Sequence, residues 1–305
     1  MSVSSATCLR SAATLTNFTA SDIASHSYVL LDISGATSNG TDPAGLNASF
    51  LNQTQPAGYR ALASGDYNMD PDITNPTSSS ANHRGLSVAQ AMLQGMRDVP
   101  TISISLPKND FAGGSGIYSN PQSKSQAGQF TWEKACSAEF IPAENDTRSD
   151  VQENCGLRVQ GGASRNPGSS PKHSLSFRFR KRYGVGKLRE TLFPGSDVTE
   201  FNSIALRAGY NNSWIHSSSG QRTVGSMIRD QWMRESVKDM GHADAGEGFI
   251  AHLFINGLYW GLHNIAERQD SGHYANYNGG DEDLIDARNG SDFINGNSTA
   301  WNRMR

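Results

Sequence analysis

Between Leu157 and Arg189 the chain carries nine Lys or Arg and no Asp or Glu, although its formal net charge is −3. Such a concentration of cations suits an anionic ligand. The run opens on a turn, Gly161-Gly162-Ala163-Ser164-Arg165, and continues through a Pro/Ser loop to Lys172-His173-Ser174-Leu175-Ser176-Phe177-Arg178-Phe179-Arg180. Glycines let a backbone approach a ligand closely and leave N–H groups free to face an anion. Leu175, Phe177 and Phe179 alternate with Ser176, Arg178 and Arg180, the period of a half-buried strand. That parity predicts Lys172 on the polar side with Ser174, Ser176 and Arg178. Gly161, Gly162, Ser164, Arg165 and Lys172 are therefore candidates for a phosphate cradle. The same residues also fit an ordinary turn before a solvated basic strand. Nucleic acid, a third occupant, is disfavoured by a pI near 6.2 and by the lack of a second basic cluster.

The elements that must position these residues follow from patterning. Thr101–Leu106 alternates as a strand. Cys136–Ile141 and Val151–Val159 read as two strands about a polar turn, which brings Cys136 within one residue of facing Cys155. A cross-strand disulfide and two free thiols both remain open. Phe201–Arg207 reads as a further strand. Arg222–Met240 reads as one helix, with Val224, Ile228, Met233, Val237 and Met240 on a broad apolar face and Gly241 as its stop. Phe249–Ile255 and Leu258–Arg268 flank Asn256-Gly257, the favoured type I′ hairpin turn. Simple pairing sets Ile255 against Leu258, Leu253 against Trp260 and Ala251 against Leu262.

At 305 residues the chain can hold one large or two small cores. A texture change near residue 98 divides it into 1–98, rich in loops and partly β, and 99–305. In the first part Tyr28–Ile33 fits a short strand and Ser87–Met96 a short amphipathic helix. Asp66, Asn68, Asp70 and Asp72 alternate as in a calcium loop, but Pro71 stands where such a loop needs glycine. A capped turn fits better. No apolar run is long enough to span a membrane, and Met1–Ala20 lacks the basic start and apolar stretch of a secretory leader. The chain therefore reads as cytosolic or as part of a longer product.

In order and spacing, several segments resemble the CotH (spore-coat protein H) kinase family of atypical protein kinases. They include Val99-Pro100-Thr101-Ile102, Gly116-Ile117-Tyr118-Ser119-Asn120-Pro121, Gly156–Arg165, Pro171-Lys172-His173-Ser174, Arg229-Asp230 and Asn256–Leu262 with Glu267-Arg268 and Asp270. The resemblance implies an α+β fold: a kinase N-lobe-like twisted antiparallel sheet with one main helix, its C-lobe missing. It implies ATP with Mg²⁺ as cofactors, the Gly161–Arg165 turn over the phosphates and Lys172 as their point charge. Glu235 is the central carboxylate of the expected helix, and Glu267 would lie near the nucleotide. The implied activity moves the γ-phosphoryl of ATP to Ser or Thr of a surface or coat protein outside the cytoplasm. The carboxylates for catalysis and metal binding are expected beyond Arg305. Asp292 and Asn297 match the catalytic-loop spacing only by count, and Asp281–Asp286 reads as an exposed acidic loop. The alternative is a surface adhesion or scaffold protein that keeps a kinase-like shell without chemistry.

Overall fold

The computed structural model describes residues 7–21, 23–28, 85–86, 88–124, 131–290 and 292–304. A hairpin of β1 (Thr7–Ser11) and β2 (Ala24–Tyr28) comes first. Helix α1 (Val88–Asp98) leads into β3 (Thr101–Ser105), and the short α2 (Lys108–Ala112) precedes β4 (Lys134–Ile141) and β5 (Val151–Gln160). Then come β6 (Ser174–Arg178), the small pair β7 (Leu188–Arg189) and β8 (Glu200–Phe201), and β9 (Ser203–Arg207). Two helices, α3 (Ser219–Arg222) and α4 (Arg229–Asp239), precede the long hairpin of β10 (Gly248–Ile255) and β11 (Leu258–Glu267). Helix α5 (Ser271–Asn278), the hairpin β12 (Ala287–Asn289) with β13 (Asp292–Asn295), and α6 (Thr299–Met304) complete the order. The strand expected at Tyr28–Ile33 lies outside the described residues except for Tyr28, which ends β2. The Asp66–Asp72 run lies wholly outside them.

The sheet is not the open, kinase N-lobe-like antiparallel sheet with one main helix that the resemblance implied. It closes into a seven-stranded barrel, β10-β11-β9-β6-β5-β4-β3. Every neighbouring pair is antiparallel except β3 with β10, whose parallel pairing shuts the barrel: Thr101 faces His252 and Ile104 faces Ile255. Instead of one main helix there are several short ones. Closure is locked at the Asn256-Gly257 turn. Both residues take positive φ, 52° and 80°, as a type I′ turn requires. The Asn256 side chain then treats Leu106 as a sheet partner: its Oδ1 accepts from Leu106 N at 2.9 Å and its Nδ2 donates to Leu106 O at 2.9 Å. One residue sets the turn and ties it to the end of β3.

Apolar side chains of all seven strands, among them Ile104, Leu157, Leu175, Leu206, Leu253 and Ile265, fill the core. All five residues of β3 are buried, so its polar face is covered as well as its apolar one. The β1–β2 hairpin does the covering. Ser27 donates from its backbone to Glu139 Oε2 and from its hydroxyl to Ser103 Oγ, both at 2.7 Å, and Ser25 meets Ser137. The alternation of Thr101–Ser105 marks two packed faces rather than one core face and one wet face.

Two further expectations change. Along the long hairpin, Ile255 faces Leu258 as expected, but a bulge between Leu253 and Phe254 makes Leu253 face Gly261 and Ala251 face His263. Trp260 is the extra residue, and Gly261 absorbs the kink at φ 83°. The bulge turns Trp260 onto Phe111 and Tyr118, edge to face, at 5.5 and 5.4 Å between ring centres. The single helix expected over Arg222–Met240 is broken at Met227, whose φ is 61°. Asn212 causes the break, because its Oδ1 accepts from Ser226 N and its backbone oxygen accepts from Met227 N. Val224, Ile228, Met233 and Met240 are exposed, so the apolar face read from the pattern is not a core face.

Candidate functional site

Directly opposed residues in a sheet share a face. Arg158 of β5 faces Ser176 of β6, which in turn faces Ala205 of β9. Two residues along, Gly156 faces Arg178 and Arg178 faces Ser203. This shared polar face floors an open cleft of about 1220 Å³, walled by α4, the Arg268–Asp270 segment and the β12–β13 hairpin. Eleven Lys or Arg line the cleft against three carboxylates, Glu267, Asp270 and Glu282.

Most of these cations are already engaged. Glu133 is buried and pairs with both Arg158 and Arg180. It fits only because residue 156 is glycine, since a Cβ there would lie 2.7 Å from the Glu133 Cγ. Asp230 on α4 pairs with Arg207 and lies 3.8 Å from Arg234. Asp270 pairs with Arg268 at 3.5 Å while accepting from Ser203 Oγ and His273 N. Arg178 differs from all of them. No ion pair or hydrogen bond engages it among the described residues, and its Nε is buried without an acceptor. Burial, and then the neighbouring Arg268 and Arg158, push its guanidinium toward the neutral form. A guanidinium keeps its proton in a protein, so the cleft floor holds a cation that feels the charge of Asp270 but whose buried Nε has no acceptor.

The residues singled out from the sequence fall into two groups. Gly161, Gly162, Arg165 and Glu267 line this cleft. Gly161 has φ 120°, and a Cβ on it would lie 2.0 Å from Ser164 Oγ, so the turn demands glycine there. Ser164 follows in a single 3₁₀ turn, with its carbonyl 3.1 Å from His173 Nδ1. The Arg165 guanidinium points away from phosphate duty, holding the carbonyls of Pro121 and Ser123. Glu267 accepts from Glu247 N and Tyr277 Oη, both at 2.8 Å, through Oε2, and burial raises its carboxyl. Its Oε1 is buried without a donor.

Lys172 and Glu235 stand apart from the cleft lining. Strand β6 begins at Ser174, so the parity that predicted the direction of Lys172 does not extend back to it. Its Nζ donates to Leu262 O at 2.6 Å, against Gly261 and beside His263. Burial lowers this ammonium to about 8. Burial, and then Lys172, hold His263 well below the ordinary histidine range. Glu235 is on the exposed side of α4, accepting from Gln231 Nε2 and lying 3.8 Å from Lys238 Nζ. The helix meets the sheet instead through Asp230, paired with Arg207 of β9, and Gln231, whose Oε1 accepts from Asn264 Nδ2 of β11.

Sequence reasoning gave Arg178 a face but no role, named Arg268 only as part of the segment resembling the family, and missed Glu133 and Arg234. Arg158 and Arg178 could have been grouped by strand parity. Glu133 lies 24 residues before the acid-free run begins, beyond several other carboxylates, and gave no signal. Among the described residues no group of three His, Cys, Asp or Glu side chains is placed to hold a metal ion, and no helix is long and apolar enough to cross a membrane. None of the curated proteins matches the chain. The glycine turn, the basic strand, α4 and the long hairpin all fall within residues 157–302, the segment that matches the family described as CotH kinase protein.

Proposed function

We propose that the cleft binds the polyphosphate of ATP, and that this chain forms the nucleotide-holding part of a CotH-type kinase. The bound nucleotide supplies the γ-phosphoryl group that moves to a Ser or Thr hydroxyl of a surface or coat protein. One observation carries the reading: Arg178 is a closely surrounded cation with no partner, on the floor of a cleft rich in arginine. A phosphate oxygen there would complete a charge-assisted hydrogen bond that the fold leaves open. In this arrangement Arg178 takes the part expected of Lys172. Arg158 and Arg180 are held beside it by Glu133, so the phosphate meets positioned donors and not mobile ones. The Gly161-Gly162 backbone forms the rim. Glu267 Oε1, buried and without a donor, is available to a hydroxyl or amine of the nucleotide.

The Mg²⁺ expected with ATP finds no such ligand set among the described residues. In the cleft, Asp270 is held by Ser203 and Arg268, and Glu282 by Lys187 and Asn202. None of the roles above depends on the metal. These engaged carboxylates also favour a second reading, a surface scaffold that binds nucleotide without transferring phosphate.

The test is calorimetric binding of ATP, ADP and inorganic triphosphate to the chain and to Arg178→Met. Losing one charged hydrogen bond of about 1.5–3 kcal/mol predicts roughly 10- to 100-fold weaker ATP binding and a shallower dependence on salt. Equal dissociation constants for the two proteins would refute the reading. Tight binding by a full-length gene product that transfers no labelled phosphate would support the scaffold.

A further inference from the structure

We propose that Cys136 and Cys155 are a built site for an intrachain disulfide, formed by a disulfide oxidant as the barrel folds. The two residues face each other directly in the β4–β5 ladder, flanked by the pairs Ala135–Gly156 and Ser137–Asn154. Their sulfurs are 3.6 Å apart as free thiols. Directly opposed residues of an antiparallel pair have Cα atoms about 4.5–5.5 Å apart, inside the window of about 4.4–6.8 Å that a disulfide spans. The register holds the sulfurs together, so bonding requires only side-chain adjustment.

Other uses of the pair are poorly served by its surroundings. Cys136 and Cys155 are 4% and 0% exposed, out of reach of a substrate. No third ligand stands near enough to make a metal centre among the described residues. Burial, followed by contact with Cys136, pushes the Cys155 thiol up, the opposite of what an activated nucleophile needs.

The chemistry balances with a small-molecule disulfide such as oxidised glutathione. One cysteine thiolate attacks the oxidant, forming a mixed disulfide and expelling one thiolate. The second cysteine attacks the protein-bound sulfur of that mixed disulfide, closing the Cys136–Cys155 bond and expelling the second thiolate. The two cysteine protons leave with the two expelled thiols; the cysteines are oxidised and the glutathione is reduced. In the closed barrel both steps are hindered by burial, so the bond forms while β4 and β5 are still open to solvent. Strand β5 continues from Cys155 to Arg158 and Gln160, so the cross-link fixes the strand that floors the cleft. A chain that gains this bond matures in an oxidising compartment.

The experiment uses the full chain carrying Cys8→Ser, which leaves only the facing pair. Protein is unfolded, reduced, and refolded in glutathione buffers from fully reduced to fully oxidised. Remaining thiols are then alkylated and peptides are mapped without reduction. The expected result is a linked Cys136–Cys155 peptide that dominates after oxidised refolding. The oxidised protein should melt about 5 °C or more above the reduced one, and dithiothreitol should abolish the difference. Folded reduced protein should oxidise far more slowly than refolding protein. Alkylation of both cysteines after oxidised refolding would overturn the proposal, as would stable glutathione adducts on either one. An oxidised form that melts at or below the reduced form would also overturn it. A Cys136→Ala/Cys155→Ala chain provides the control, and its melting point should not respond to the redox buffer.

Discussion

Replacing Lys172 by methionine isolates the cost of burying one ammonium group. An ordinary lysine titrates at 10.5, and burial lowers Lys172 to about 8. At neutral pH the folded protein therefore holds a proton more weakly than the unfolded chain does. The sign follows directly. Between about pH 8 and 10.5 the unfolded chain binds more protons at this site, so stability rises with pH across that window. Below about pH 8 both states are charged and the full penalty applies, near 3 kcal/mol by linkage. That figure is a ceiling, because Lys172 is not wholly sealed from water. Against it stands the hydrogen bond to Leu262 O at 2.6 Å, worth about 1 kcal/mol or somewhat more. Methionine keeps most of the volume and loses both the charge and that bond. Lys172→Met should therefore unfold at a higher urea concentration than the parent at pH 7, by roughly 1–2 kcal/mol of stability. The advantage should shrink to nothing or reverse by about pH 10.5, where the parent lysine has shed its penalty. Other groups titrate over the same range, so the measurement is the difference between the two proteins at each pH. A variant less stable than the parent at pH 7, with the same difference at every pH, would show that the ammonium is not under burial strain.

Local chemistry was easier to read from the sequence than the way distant segments meet. The Asn256-Gly257 turn was legible because two successive positive φ values leave few residue choices. The facing of Cys136 and Cys155 was legible to within one residue, from a short turn between two well-patterned strands. The basic floor of the cleft was partly legible, since parity alone places Ser176 and Arg178 on one face. Barrel closure was not legible. It depends on a parallel pairing between Thr101–Ile104 and His252–Ile255, segments about 150 residues apart whose own patterns are compatible with an open or a closed sheet. Helix 222–240 failed for a related reason: the capture of Ser226 and Met227 by Asn212 is a tertiary contact that overrides a helical period. The hairpin slip had a visible cue, because a glycine inside a strand pattern, here Gly261, commonly marks a bulge. Lys172 illustrates the limit of parity. Its direction was extrapolated two residues before the strand began, into the bend at Pro171-Lys172 that resets the chain.

Two substitutions separate the turn, the closure and the cleft rim. Asn256→Gly retains the positive φ that the turn needs but removes both hydrogen bonds to Leu106. It should cost about 1–3 kcal/mol in urea unfolding, with faster amide exchange on β3 than on β6; uniform exchange across the barrel would contradict a lock at that edge. Gly161→Ala acts at the cleft itself. A methyl group at φ 120° is strained, and it would lie 2.0 Å from Ser164 Oγ unless the turn moves. The added carbon removes no cation, so any change in triphosphate affinity must come from displaced backbone. If the turn forms the rim over the phosphates, affinity should fall about tenfold or more with the salt dependence intact, the opposite pattern from Arg178→Met. Unchanged affinity in a folded Gly161→Ala protein would remove the glycine turn from the site while leaving the arginine floor standing, because the two contributions are carried by different parts of the chain.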